Sequence, residues 1–186
     1  GDRPFRFVSF NIPNLLVIED AYEFTRPNPW RWPDEFELED ALESVRQMGG
    51  QVVRTYVISV HREGSDMGEY VHVRGPGEFN EEGFRAIDKL IELARRKGIR
   101  VMIPLVDQHK WWGGIAEYAA FRGKPAGACW SGRQIIDDFK ATVRHLIERK
   151  NVYTGALYRD EPAIFGWETG NELESTPEWT REIAAY

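Results

Sequence analysis

Cysteine is almost absent from the chain, and the basic residues are not gathered into a patch. Cys129 is the one cysteine among 186 residues, so an intramolecular disulfide framework is excluded. No group of Cys and His residues has the spacing of zinc ligands, which predicts a protein without a bound metal. The formal net charge is −6 and the basic residues are scattered, so we expect no nucleic-acid partner.

The chain also lacks a long apolar run and a leader-like start. No stretch approaches the roughly 20 apolar residues that a membrane-spanning helix needs, so we expect no membrane partner. The first residues, Gly1-Asp2-Arg3-Pro4, do not have the pattern of a signal peptide. Two interpretations follow: a cytoplasmic protein, or a protein whose leader has been removed.

Short apolar runs alternate with amphipathic helical runs along the chain. Long loops follow the apolar runs, whereas the turns from helix to strand are mostly short. The runs typical of β-strands cover residues 7–10, 52–57, 99–106 and 164–167.

Polar residues mark the starts of three predicted helices. Asp34, with Glu37 three residues later, indicates a capping box at the first of them. Asn80 is expected to cap the second helix. Thr176 is expected to cap the last, because the proline after it suits the first helical position.

The order strand, helix, strand, helix predicts an α/β fold with a parallel sheet and right-handed crossovers. Long loops after every strand are most typical of a (β/α)8 TIM barrel. A doubly wound sheet is the alternative, but no glycine-rich phosphate loop follows any strand; the first one ends in Asn11-Ile12-Pro13-Asn14.

Four βα units fill the chain, and a barrel needs eight. Residues 1–186 are therefore predicted to be the N-terminal half of a single catalytic barrel. A half-barrel leaves two sheet edges unpaired. We expect it to pair with a missing C-terminal half-barrel or with a second copy that complements it.

Aromatic residues make up 13% of the chain and include seven Trp. Aromatic side chains commonly fill cores because they bury large apolar areas. Several Trp here stand in loops beside Pro, Gly or Asn, which is typical of platforms that stack on a flat ligand. For Trp111 and Trp112, core packing and ligand stacking have equal weight.

Glu172 follows the last predicted strand and is a candidate acid. Cleavage of a glycosidic bond needs one carboxylic acid to protonate the leaving oxygen and a second carboxylate across the bond. Asn171 beside it can hold a sugar hydroxyl. By position alone, however, Glu172 is one of thirty acidic residues, and a solvent-facing side chain is the simpler interpretation.

The run Trp167-Glu168-Thr169-Gly170-Asn171-Glu172, with the residues before it from Tyr158, resembles the fourth-strand signature of glycoside hydrolase family 5, especially its β-mannanase branch. The resemblance implies that Glu172 is the general acid/base. It also implies that Asn171 binds the sugar hydroxyl next to the anomeric carbon. No metal or organic cofactor is implied.

Further segments extend the resemblance over the other strands. Arg54 inherits the role of an Arg that supports the nucleophile region. A charged residue within an apolar strand is costly unless paired, which favours a functional placement. Asn11 is implied to belong to the floor of the site, and Trp167 to the substrate-binding residues.

The third strand departs from the family pattern. It ends in Asp107-Gln108-His109-Lys110-Trp111-Trp112, where mannanases commonly carry an Asn-containing segment with Trp. His109 is implied to bind substrate, and Trp111 or Trp112 to form a sugar platform. The departure leaves mannan, glucan and other β-linked sugars open as substrates.

The second carboxylate of the family is a Glu at the end of strand seven, which this chain does not reach. Asp107 is a local alternative, for which a carboxyl separation of about 5 Å would mean retention and roughly 6.5 to 9.5 Å inversion. Glu168, within the strand, is expected to be structural.

The predicted function is a retaining O-glycoside hydrolase of β-linked polysaccharide or oligosaccharide, with mannan favoured. The activity is expected of the complete barrel, and the 186-residue chain alone is expected to be inactive. Such an enzyme would be secreted or periplasmic, with a cytoplasmic location as the alternative.

Three other interpretations remain open at this point. One is a carbohydrate-binding half-barrel that cannot cleave. Another is a family 5-like β-glucanase or exo-glycosidase. The third is an unrelated α/β enzyme in which Asn171-Glu172 occurs by coincidence.

Overall fold

The structure is a computed structural model that describes residues 4–19, 21 and 27–186. Its strands are β1 (Ser9–Asn11), β2 (Ile18–Glu19), β3 (Trp30–Arg31), β4 (Val52–Arg54), β5 (Val73–Gly75), β6 (Glu78–Phe79), β7 (Arg100–Pro104) and β8 (Ile164–Glu168). Its α-helices are α1 (Glu35–Gln47), α2 (Glu81–Lys97), α3 (Ile115–Ala120), α4 (Arg133–Ile147) and α5 (Pro177–Ala184). Short 3₁₀ helices cover Pro13–Leu15, Ala126–Trp130 and Tyr158–Asp160.

The predicted parallel sheet is confirmed, with the strand order β1-β4-β7-β8 and parallel pairing throughout. Helix α1 connects β1 to β4, α2 connects β4 to β7, and α3 and α4 lie between β7 and β8. Parallel strands need such crossovers, and they place the carboxyl ends of all four strands at one edge. Every predicted site residue except Trp167 lies at or after one of those ends.

The predicted strand at 52–57 is too long, because the ladder of β4 stops at Arg54. Val57 and Ile58 are fully buried nonetheless, in the segment that follows the strand. Their apolar character reports burial rather than strand pairing. The first strand begins later than predicted. Val8 is apolar and lies in the predicted range, but it is 54% exposed and precedes the ladder of β1.

The helix starts follow the predicted caps, with one difference. Asp34 Oδ1 accepts a hydrogen bond from Glu37 N at 2.8 Å, and Glu37 Oε2 accepts one from Asp34 N at 3.0 Å, so the capping box is present. Thr176 accepts from the backbone of Trp179 and caps α5. Asn80 precedes α2 but does not cap it with its side chain, which donates to the carbonyl of Glu69 instead.

Three of the predicted loops contain secondary structure. Strands β2 and β3 pair antiparallel within the first loop, and β5 and β6 pair within the second. The loop after β7 holds α3. Strands of two or three residues are too short to produce a period-two pattern, which is why the sequence did not indicate them.

The faces of the sheet differ in how well they are covered. Val53, Val101 and Ile103 are fully buried. A ring cluster of Phe5, Phe7 and Phe165 is partly exposed, with centroids of Phe7 and Phe165 5.0 Å apart. The segment before β1 thereby reaches β8, the strand at the opposite edge.

Among residues 4–19, 21 and 27–186, no helix combines the length and the apolar character that crossing a membrane would require.

A buried charge cluster joins α2 to the segment after α4. Asp88 has no exposed surface and accepts hydrogen bonds from Arg149 Nη2 at 2.7 Å and from the Tyr158 hydroxyl at 2.6 Å. Arg149 also binds Glu81, at the start of α2. The charges compensate one another within the core, so removal of one partner leaves another buried without compensation.

We predict that Asp88→Ala lowers the free energy of unfolding by about 3–5 kcal/mol, because Arg149 then stays buried without its main partner. The matched control is Asp137→Ala, which removes an exposed partner of Arg133. Solvent screens that pair, so little change is expected. Urea denaturation of both variants is the measurement, and equal effects of the two substitutions would contradict the account.

Candidate active site

The ends of β4 and β8 are joined by an ion pair. Arg54 Nη2 lies 2.7 Å from Glu168 Oε2, and Arg54 Nε donates to the same carboxylate at 2.9 Å. Arg54 Nη2 also donates to Asn171 Oδ1 at 3.1 Å. Because the guanidinium has a fixed planar set of donors, it holds Glu168 and Asn171 in one relative orientation. Arg54 is thus paired, as its position in an apolar strand requires.

Asn171 continues this network to the end of β7. Its Nδ2 donates to Asp107 Oδ1 at 3.0 Å, and the other carboxylate oxygen of Asp107 accepts from the Tyr56 hydroxyl. Asp107 has no exposed surface. Burial and the hydrogen bond to Asp107 raise the pKa of Tyr56, which therefore keeps its proton. Arg54, Glu168, Asn171, Asp107 and Tyr56 are called the strand-end network below.

The strand-end network changes the interpretation of Asp107. The sequence left it open as a second catalytic carboxylate opposite Glu172. Both of its oxygens accept hydrogen bonds from the protein, and no surface is left for a substrate. Asp107 therefore orients Asn171 rather than acting on a glycosidic bond.

Glu172 has a left-handed backbone, with φ of 53°, which is the one positive value among non-glycine residues in the described part of the chain. This conformation costs a non-glycine residue roughly 1–2 kcal/mol. Hydrogen bonds on both sides impose it: Asn171 N donates to Val106 O at 2.8 Å, and Glu174 N donates to Gln108 Oε1 at 2.9 Å.

Gly170 allows this turn to approach β7 closely. A Cβ atom at this position would lie 2.5 Å from the carbonyl oxygen of Val106, closer than two such atoms can approach. The same carbonyl accepts the hydrogen bond from Asn171 N. The glycine in the signature is therefore needed for the distance between the two strand ends.

The side chain of Glu172 is exposed and contacts His109. Its carboxylate oxygen lies 2.8 Å from His109 Nε2, and the two side chains are 69% and 61% exposed. The hydrogen bond to Glu172 raises the pKa of His109 above its ordinary value of 6.5, and the charge of Asp107 adds to the rise. Glu172 is thus accessible at the edge where the other carboxylates are engaged.

A cavity of about 440 Å³ opens beside His109. Pro13 and Asn14, after β1, form one side of it, and Tyr56 lies in its wall. The remaining lining residues are Glu19, Trp111 and Trp112. A concave, largely aromatic space with a few polar groups is the usual form of a small-molecule site.

Trp111 and Trp112 combine the two roles that the sequence left open. Trp111 is 37% exposed at the cavity, whereas Trp112 is 1% exposed and packs edge-on against Tyr56 at 4.9 Å. Both indole N–H groups donate to Glu19. Trp111 can offer a face to a ligand, and Trp112 is a core residue that forms the wall behind it.

The structure does not bring Trp167 and Asn11 to this cavity. Trp167 pairs in register with Ile103, and its ring lies parallel to that of the buried Tyr158 at 6.4 Å. Asn11 is exposed and pairs in register with Arg54, so it lies at the same sheet edge but outside the cavity wall.

Several residues of the site, among them Tyr56, Gln108 and Glu19, carried no role in the sequence interpretation. Tyr56 lies two residues after Arg54 within the predicted strand 52–57, where this spacing puts two side chains on the same face, so the sequence offered a usable signal. Gln108 and Glu19 lie in irregular segments or a two-residue strand, where periodicity gives no indication. In the described ranges, no three His, Cys, Asp or Glu residues are grouped so that they could hold a metal ion.

Comparison with known proteins identifies the family. The chain is 32% identical over 177 residues to a putative mannan endo-1,4-beta-mannosidase 5 of Oryza sativa subsp. japonica, covering 92% of the chain and 33% of that protein. It superposes on an endo-beta-1,4-mannanase of Thermotoga petrophila with a TM-score of 0.82 and 27% identity, covering 100% of the chain and 40% of that structure. The chain belongs to the mannanase-like members of glycoside hydrolase family 5.

A third comparison supports the fold of this family 5 chain. The endo-1,4-beta-mannanase of Rhizomucor miehei matches it with a TM-score of 0.76 and 22% identity, over 100% of the chain and 54% of that structure. No family model matches the chain. The chain spans about a third of the length of the curated relatives it matches.

We predict that Glu172→Gln lowers the pKa of His109 towards 6.5, because the carboxylate that favours the charged imidazole is then gone. NMR titration of the imidazole C–H signals measures this, with His109 assigned from the spectrum of His109→Gln. Burial lowers the pKa of His72 to about 3, so its signals serve as a fixed internal reference at neutral pH. Identical His109 titration curves in both proteins would refute the contact.

Proposed function

We propose that the protein containing this chain hydrolyses β-1,4-linked mannan with retention of configuration, and that Glu172 is its general acid/base. The observation that carries the proposal is the position of Glu172. It follows the last strand of a parallel sheet, is 69% exposed, and stands beside a network in which the neighbouring polar groups are bound to one another. The mannan specificity is taken from the named relatives.

The acid role of Glu172 is supported by the fact that its carboxyl group, unlike those of Glu168 and Asp107, is not bound within the strand-end network. Glu168 is paired with Arg54, and Asp107 is bound by Asn171 and Tyr56. Among the described residues, the Glu172 carboxyl group has one hydrogen-bond partner, His109, and a substrate can displace this exposed hydrogen bond. A side chain that moves a proton must reach the leaving oxygen directly, which suits an exposed carboxyl at the strand end.

Asn171 is proposed to orient a sugar hydroxyl beside Glu172. Its amide already donates one N–H to Asp107 and accepts one bond from Arg54. An amide has a second N–H and a second lone pair, so one donor and one acceptor site remain for a ligand. The strand-end network fixes the direction in which they point.

The nucleophile is proposed to come from outside this chain. Retention needs a second carboxyl group about 5 Å from the first. Glu168 and Asp107, the two acidic residues of the strand-end network, are already hydrogen-bonded within it. The region that the longer relatives possess beyond this match is the proposed source, and it would complete the barrel from the edges formed by β1 and β8.

The ring cluster of Phe5, Phe7 and Phe165 supports completion of a barrel. These side chains are apolar and partly exposed where the interior of a closed barrel would be filled with side chains. A second copy of the chain is the alternative occupant. The C-terminal half-barrel is preferred, because the relatives are about three times as long as the match.

The proposed reaction has two steps. The external carboxylate attacks the anomeric carbon while Glu172 gives its proton to the leaving oxygen, and a glycosyl-enzyme ester forms. Glu172, now ionised, takes a proton from water, and the hydroxyl oxygen attacks the anomeric carbon and releases the carboxylate.

A binding protein without hydrolytic activity is the second candidate. The cavity beside Trp111 and His109 favours it, because an aromatic wall with polar groups can hold a sugar without a nucleophile. The 186-residue chain alone is proposed to behave in this way.

We predict that the protein extended by the C-terminal region of its relatives releases reducing sugar from β-1,4-mannan, and that the 186-residue chain alone does not. Glu172→Gln in the extended protein should lower kcat by about 10²–10⁴-fold, because general acid–base assistance is lost. The matched control Glu174→Gln changes an exposed carboxyl two residues away and should keep most of the activity.

Proton NMR of the first product distinguishes the stereochemical course, since retention gives the β-anomer before mutarotation. Full activity of Glu172→Gln, or an α-anomer as first product, would contradict the mechanism. Binding of manno-oligosaccharides without release of sugar by the extended protein would favour the second candidate.

A further inference from the structure

Glu19 is a buried carboxylate at the cavity wall. It ends β2 and is 9% exposed. Its Oε2 accepts hydrogen bonds from Trp111 Nε1 at 2.8 Å and Trp112 Nε1 at 3.1 Å. Within the described ranges, no Lys, Arg or His forms a salt bridge with it. Burial of such a carboxylate is costly unless hydrogen bonds compensate it, and the two indole donors supply part of that compensation.

The carboxylate of Glu19 keeps unused hydrogen-bonding capacity. Both indole donors bind Oε2, and no described residue donates to Oε1. An ionised carboxylate offers about four acceptor sites. Because Glu19 also lines the cavity of about 440 Å³, a ligand there can supply the missing donors.

Two indole rings hold this carboxylate in place. Trp30 packs against Trp111 at 6.1 Å and against Trp112 at 6.3 Å, and it is itself buried. The hydrogen bonds to Glu19 then fix the ring planes, with Trp111 partly exposed at the cavity. An aromatic face next to a fixed acceptor matches a sugar, which has an apolar C–H face and a rim of hydroxyl donors.

The cavity is linked to the acid/base residue through His109. His109 lines it and contacts Glu172 at 2.8 Å. Tyr56 also lies in the wall, and its hydroxyl donates to Asp107 of the strand-end network. A sugar unit in the cavity would therefore lie beside the unit that Glu172 acts on.

We propose that Glu19 is a specificity-determining residue, which accepts hydroxyl hydrogen bonds from a neutral sugar unit stacked on Trp111 next to the scissile bond. The inference rests on the proposed function for the position of the scissile bond. Glu19, in the loop after β1, would thereby bind substrate together with residues at the strand ends. Trp111 and Trp112 would also hold the Glu19 carboxylate in place.

The test measures oligosaccharide affinity in the extended protein with Glu172→Gln, which prevents turnover. The probe is β-1,4-linked mannohexaose, titrated by calorimetry. Adding Glu19→Gln should raise Kd by about 10- to 100-fold, because a hydrogen bond to a charged acceptor is replaced by contact with an amide. The control Glu63→Gln changes an exposed residue outside the cavity and should leave Kd unchanged.

Glu19→Gln is expected to fold, because its amide oxygen can still accept both indole hydrogen bonds. Hexaoses that each lack one hydroxyl provide a measurement that needs no change at Glu19. At least one deoxy sugar should bind about 10- to 100-fold more weakly than mannohexaose to the Glu172→Gln protein. The same sugar should show no such deficit once Glu19→Gln is present.

The inference and the proposed function fail separately. Mannan hydrolysis that depends on Glu172, with the same Kd in both Glu19 forms, would overturn the inference and leave the proposed function intact. If Glu19→Gln weakens binding in a protein that cleaves no mannan, the proposed function is overturned and the binding role of Glu19 is kept. Absence of any hexaose binding, or preferential binding of a β-1,4-linked glucosamine hexamer over mannohexaose, would overturn the inference.

Discussion

The ion pair between Arg54 and Glu168 is the interaction on which the rest of the site depends. It joins β4 to β8 across β7, the strand that separates them in the sheet. The same guanidinium holds Asn171, and through Asn171 it is linked to Asp107 at the end of β7. A partly buried polar network of this kind stabilises a structure only when its members satisfy one another, so the three strand ends are fixed as a unit.

The strand-end network divides the polar residues of this edge into two groups. Its own members are hydrogen-bonded to one another, and Asn171 keeps one donor and one acceptor site in addition. Glu172 stands outside it, with a strained backbone and an exposed carboxyl group. Strain of this kind persists only where the surroundings impose it, and it is concentrated at functional sites. The hydrogen bonds around Asn171 and Gln108 impose it here, and Gly170 gives the close approach that they need.

The four strands of the parallel sheet and the signature residues could be predicted from the sequence, because they depend on local pattern. Alternating apolar and helical runs indicated a parallel sheet, and Asn171-Glu172 lies where its strand should end. Contacts between distant segments could not be predicted. Asp107 was open as a catalytic group until its bonds to Asn171 and Tyr56 were visible, and Glu19 lies in a two-residue strand without periodicity. Trp167 was predicted to bind substrate because tryptophan rings commonly stack on sugars, but its ring packs beside that of Tyr158.

The most direct test of the strand-end network is a double-mutant cycle on Arg54→Met and Glu168→Gln in the 186-residue chain. Free energies of unfolding are measured by urea denaturation for the chain, each single variant and the double variant. If the pair is one unit, the double variant loses less than the sum of the single losses, with a coupling free energy of about 0.5–3 kcal/mol. Losses that add to within about 0.5 kcal/mol would contradict the account.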